Sequence, residues 1–148
     1  MVGIIISILT FNIIAFKIND LLNRKQIAHI WMFTMAVQAV TETYIDFKYH
    51  GYWYLTKEIN WWVLLTFTVL IPPVNIIFLN WYPYGSSRKR IILYFLLWEV
   101  LMVFYESLTL LPEPWGYFNY GWWELWYSAI LNPFLLLIVL KYYKWFIK

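Results

Sequence analysis

Cysteine is absent from the sequence, which removes disulfides, thiolate metal sites, cysteine nucleophiles and palmitoyl anchors from consideration. Charge is scarce: 13% of the residues are charged, against about 25% in an ordinary soluble domain. Glycine occurs only five times and never in a phosphate-cradling loop. There is no His-Glu-x-x-His zinc motif and no Glu-x-x-His signature of a bundle di-iron site. The serines (Ser7, Ser86, Ser87, Ser107 and Ser128) stand in no evident nucleophile elbow. His50 with Glu42 and Asp46 lacks the tight spacing of a metal site. No metal and no cofactor is expected. The net charge of +3 comes without a nucleic-acid motif, so it reads as orientation of membrane spans rather than as a nucleic-acid partner.

What is present is apolar and aromatic: 63% hydrophobic residues and 24% aromatic, with 11 Trp and 13 Tyr. A membrane span needs roughly 20 apolar residues. Five runs approach or meet that length, at about 2–17, 27–47, 61–81, 91–111 and 122–140. The first is short and lacks the basic start and small-residue cleavage site of a signal peptide, so it reads as a retained span. Pro72 and Pro73 predict a kink in the third. The expectation is a single all-α domain over 1–148, an integral membrane bundle of five transmembrane helices embedded in the lipid bilayer. Lys17, Arg24, Lys25, Arg88, Lys89, Arg90, Lys141, Lys144 and Lys148 would fall on one side, and only Lys48 and Lys57 on the other. By the positive-inside rule the N-terminus is outside and the C-terminus cytoplasmic.

Several spans carry polar residues at helical spacing. Gln38, Glu42 and Asp46 are each four apart, as are Glu124, Ser128 and Asn132. Glu99 and Glu106 are seven apart, which returns a helix to within about 20° of its starting direction. An ionised carboxylate facing lipid costs at least about 2.5 kcal/mol, so these stripes are expected to face one another. With the predicted orientation, Glu42, Asp46, Glu106 and Glu124 lie in the outer half, and Glu99 lies deeper, near Gln38, Asn75 and Asn132. The simplest arrangement is an acidic pocket open to the outside. Its mouth would carry Tyr44, His50, Trp53, Trp61, Trp115, Tyr120 and Trp123.

The blocks Thr41 to Tyr49 (TETYIDFKY), Pro72 to Pro83 (PPVNIIFLNWYP), Trp98 to Ser107 (WEVLMVFYES) and Tyr120 to Phe134 (YGWWELWYSAILNPF) occur in that order. In this the chain resembles a family of small, functionally uncharacterised membrane proteins found mainly in endospore-forming Gram-positive bacteria. The resemblance implies a multi-pass protein of the bacterial cytoplasmic membrane and supplies no activity. From the residues themselves, the pocket is expected to bind or transport a cation or a small polar ligand, with proton linkage, through Glu42, Asp46, Glu99, Glu106, Glu124, Gln38, Asn75 and Asn132. The alternatives are a cofactor-free enzyme using carboxylate acid/base chemistry on a lipid or isoprenoid, and a structural partner of another membrane protein. Catalytic residues are not assigned, and a homo-oligomer or a heterologous membrane partner stays open.

Overall fold

The computed structural model describes residues 1–148 and is mostly helical. Helix α1 spans Val2–Ile18 and α2 spans Arg24–Glu42, prolonged by a wider-wound segment, Thr43–Lys48. Helices α3 (Trp61–Trp81), α4 (Arg88–Thr109) and α5 (Leu125–Ile147) are the three that are long and apolar enough to cross a membrane. At 17 residues α1 is apolar but shorter.

Local chemistry sets the boundaries and shifts several from the expected ones. The Asn23 side chain accepts the Gln26 N–H and the Gln26 side chain accepts the Asn23 N–H, a reciprocal cap that starts α2 three residues before the apolar run. Ser87 caps α4, so Arg88, Lys89 and Arg90 lie in its first turn rather than in a loop. Glu124 occupies the cap position of α5, and that helix continues through the expected tail to Ile147.

The tandem prolines do not stop α3. A wider-wound stretch, Thr66–Leu70, precedes them, and the helix resumes at Ile71. In a regular helix the Thr68 and Val69 carbonyls would accept the N–H groups of Pro72 and Pro73, which do not exist. Two other helices supply the donors: the Trp31 indole of α2 bonds the Thr68 carbonyl at 2.8 Å, and the Asn12 amide of α1 bonds the Val69 carbonyl at 2.9 Å. The Asn75 amide donates to Thr34 of α2 at 2.9 Å. Near the end of α3, the Asn80 side chain accepts the backbone N–H groups of Asp20 and Leu21. Helix α3 is thus the axis of a three-helix unit with α1 and α2, and Ile76, Ile77, Phe78 and Leu79 sit in the main apolar core.

Helix α4 packs mainly on α5 and meets α3 through aromatic contacts at one end. There Phe78 lies edge-on to Phe95 and Trp98, and the Tyr94 hydroxyl bonds the Phe78 carbonyl at 2.7 Å. At the other end Phe11 of α1 lies edge-on to Tyr105.

Successive helices alternate in direction. Gln26 reaches the Ile147 carbonyl, and the Lys144 ammonium lies over the Tyr82 ring, which gathers one end of the bundle. At the opposite end the connections expected to be plain loops form a two-stranded antiparallel sheet, β1 (Tyr52–Tyr54) with β2 (Phe118–Tyr120), in the register Tyr52 to Tyr120 and Tyr54 to Phe118. The Gly51 carbonyl accepts the N–H groups of Gly121 and Trp123, which extends this junction. Gly116 permits the tight return into β2, because a Cβ there would lie 1.6 Å from the Leu111 carbonyl oxygen.

Candidate functional site

Between the α1–α3 unit and the α4/α5 pair lies a cavity of about 430 Å³ that every helix and both strands help to line. The wall is apolar over most of its length, with Phe11, Ile14, Val74, Ile77, Trp98, Leu101, Met102, Leu131 and Leu135. Its polar groups include Glu42 from α2, Glu106 from α4 and Ser128 from α5 next to the sheet, with Gln38 and Asn132 one turn deeper.

Glu106 is the best-connected carboxyl. Its Oε1 accepts the Tyr120 hydroxyl at 2.5 Å and the Ser128 hydroxyl at 2.7 Å, and the Ser128 oxygen in turn accepts the Trp123 indole N–H at 2.8 Å. Burial pushes the Tyr120 hydroxyl above its ordinary range and the bond to Glu106 adds to the effect, so it stays a proton donor. Glu42 is buried, and its Oε1 accepts the Tyr52 hydroxyl at 3.1 Å while Oε2 has no partner. Burial also holds the Tyr52 hydroxyl well above its ordinary value, reinforced by the neighbouring Glu42, Asp46 and Glu106 carboxyls. Tyr52 therefore sits among three acids and donates to one.

The remaining expected residues divide. Gln38 and Asn132 line the cavity. Asp46 is buried one turn beyond Glu42 with Oδ2 unpartnered, but it does not reach the cavity wall. Asn75 is buried against Thr34 and serves the α2–α3 contact rather than the cavity. Glu99 faces Asn132 from α4, both of its oxygens lack a well-formed hydrogen bond, and it too lies off the cavity wall. Glu124 is exposed, and its carboxyl accepts the Trp126 indole N–H at 2.6 Å. Its place at the helix cap, outside the first turn, turns it away from the Ser128 and Asn132 stripe. No three metal-ligating side chains converge anywhere; His50 is exposed, and its backbone N–H donates to the Asp46 carbonyl at 2.9 Å while Asp46 is buried.

The expected mouth is instead a roof. None of Tyr44, His50, Trp53, Trp61, Trp115, Tyr120 or Trp123 lines the cavity; Tyr52, Tyr54, Tyr117 and Phe118 do. In a strand alternate side chains face opposite sides, so once Tyr52 points inward Tyr54 does too and Trp53 points out. That period was present in Tyr52-Trp53-Tyr54, but three residues are too few to announce a strand. The lining residues that are themselves exposed are Leu101 (48%), midway along α4, and Trp81 (54%), the last residue of α3.

Compared with known proteins, the chain matches no family model, no curated protein and no solved structure.

Proposed function

We propose that this chain is a bacterial cytoplasmic-membrane protein that crosses the bilayer five times, N-terminus outside, and binds an amphiphilic molecule in its central cavity. The topology rests on charge. The end that joins Gln26 to Ile147 carries the nine clustered cations, and the sheet end carries Lys48 and Lys57. Three of those cations open α4, where the helix dipole disfavours them by about 0.3–1 kcal/mol each, so helix stability does not account for their position. The bacterial setting and the family resemblance rest on the sequence blocks alone.

The ligand class rests on one observation: a cavity with its carboxyls at the roofed end and an apolar remainder whose wall includes the exposed Leu101 midway along α4. A volume of about 430 Å³ falls in the usual range of small-molecule sites. A free ion or small polar solute would fill only the polar end and leave the apolar walls unsatisfied. An amphiphile matches both, with its head at Glu42, Glu106, Gln38 and Asn132 and its chain along Val74, Ile77 and Met102. Entry from the lipid side spares the chain any passage through water.

The test uses the full chain in phosphatidylcholine nanodiscs and a fluorescent fatty amphiphile. Met102→Trp and Leu131→Trp, each filling the apolar part, should weaken binding by about tenfold or more while the fold is retained; unchanged binding in both would defeat the reading. Single cysteines at Ser86 and Asn119 check the topology, with only the latter expected to react with an impermeant thiol reagent in intact cells.

A further inference from the structure

The polar end of the cavity is chemically one-sided. Its acids are Glu42 and Glu106, and no Lys, Arg or His lines any part of the wall. Glu42 is only 1% exposed, yet its Oε2 has no hydrogen-bond partner. Such an atom in a native interior calls for an explanation, because an unmet buried acceptor is destabilising and an unpaired charge more so. Glu106 takes both of its donors on Oε1 and leaves Oε2 open. The roof donors Tyr52 and Tyr120 are already engaged with these two carboxyls.

Resting on the amphiphile reading, we propose that the ligand carries a cationic head with N–H donors: a long-chain ammonium compound whose nitrogen lies between Glu42 and Glu106. An ammonium group brings up to three donors and a positive charge to a place with open acceptors and no cation of its own. A neutral hydroxyl head supplies a donor but no charge. A phosphate head would set like charges together in a site of low dielectric with nothing to compensate them, which opposes binding. The one-sidedness therefore disfavours isoprenyl phosphates and anionic lipids as ligands, although their tails would fit.

Dodecylammonium, dodecanol and dodecyl phosphate share a tail and differ in head, so they separate the two levels of the argument. Each is titrated into the full chain in phosphatidylcholine nanodiscs, with Met102→Trp and Leu131→Trp controlling for uptake into the bilayer. Dodecylammonium is expected to bind about tenfold or more tightly than dodecyl phosphate in the native chain, a difference lost in the filled variants. Glu42→Gln with Glu106→Gln should narrow the preference to about twofold while dodecanol still binds; if the double variant does not fold, Glu106→Gln alone should narrow it in the same direction. Binding of dodecanol or dodecyl phosphate as tight as that of dodecylammonium, still sensitive to Met102→Trp, overturns the cationic head and leaves the amphiphile site standing. A preference that survives the Gln substitutions also overturns it. Insensitivity of all three probes to both filled variants removes the site itself.

Discussion

Helices α3 and α4 are nearly equal in length and both apolar enough to span a membrane, yet 56% of the apolar window of α3 is buried within the protein and only 6% of that of α4. Hydrophobicity does not separate them, because a bilayer solvates leucine as well as another helix does, and helix association in lipid relies on packing and hydrogen bonds. What separates them is backbone chemistry. The prolines of α3 leave carbonyls that α1 and α2 must satisfy, and Asn75 and Asn80 add further ties. Helix α4 keeps its own ladder complete. It is held by the Phe78 aromatic cluster, by Tyr105 and by Glu106, and it presents Leu93, Leu96, Leu97, Val100 and Phe104 outward. The least self-sufficient helix is central, and the most self-sufficient is peripheral.

Truncation should expose the contrast most sharply at Phe78, which is fully buried where α3 meets α4. Phe78→Ala removes the ring that Phe95 and Trp98 pack against and is expected to cost about 3–5 kcal/mol. Leu97→Ala, on the outward face of α4, should stay within about 0.5 kcal/mol. Reversible unfolding in mixed micelles measures both. Equal losses would mean that α4 is packed against something, and the contrast between the helices would fail.

A smaller effect tests the cause. Asn12→Leu leaves the Val69 carbonyl without its side-chain donor and is expected to cost about 1–3 kcal/mol. Pro73→Ala returns a backbone N–H to that region of the helix. In its presence Asn12→Leu should cost about 1 kcal/mol less, a coupling that a double-mutant cycle isolates. Independent effects would show that Asn12 holds α3 by packing rather than by meeting the carbonyl that proline strands.

The apolar runs and their alternating direction were legible because hydrophobic length and helix caps are local properties. The pairing of α3 with α1 and α2 was half-visible. Asn12, Asn75 and the prolines stood out as misfits, but which misfit answers which is a three-dimensional fact. The sheet was hidden because its strands have three residues each and pair across the chain, from Tyr52–Tyr54 to Phe118–Tyr120. Missing the sheet meant missing the roof, and Trp53 was assigned to a mouth although its neighbours Tyr52 and Tyr54 are the ones that face the cavity. Gln38, Glu42, Glu106 and Asn132 were found from helical spacing and do converge on the cavity. The same reasoning placed Glu124 there wrongly, since spacing holds only inside a helix and Glu124 lies just before one.

The finest comparison lies within α4. Glu99 and Glu106 share one stripe, yet a seven-residue step also moves about 10 Å along the axis, and that translation decides their surroundings. Glu106 arrives under the sheet, where Tyr120 and Ser128 donate to it and the cavity wall includes it. Glu99 arrives a level below, beside Asn132; no well-formed hydrogen bond reaches either of its oxygens, and Asn132 lines the cavity while Glu99 does not. A carboxyl that does not itself line the site can influence the ligand only through its field or through Asn132 beside it. Glu99→Gln, nearly isosteric and with an amide donor of its own, should therefore leave amphiphile binding within about twofold and stability unchanged or slightly raised. Glu106→Gln should weaken a cationic amphiphile by about tenfold, since it removes charge at the contact itself. Titrating dodecylammonium against both variants decides the matter: an equal loss from Glu99→Gln would place the ligand a full level deeper than Glu106.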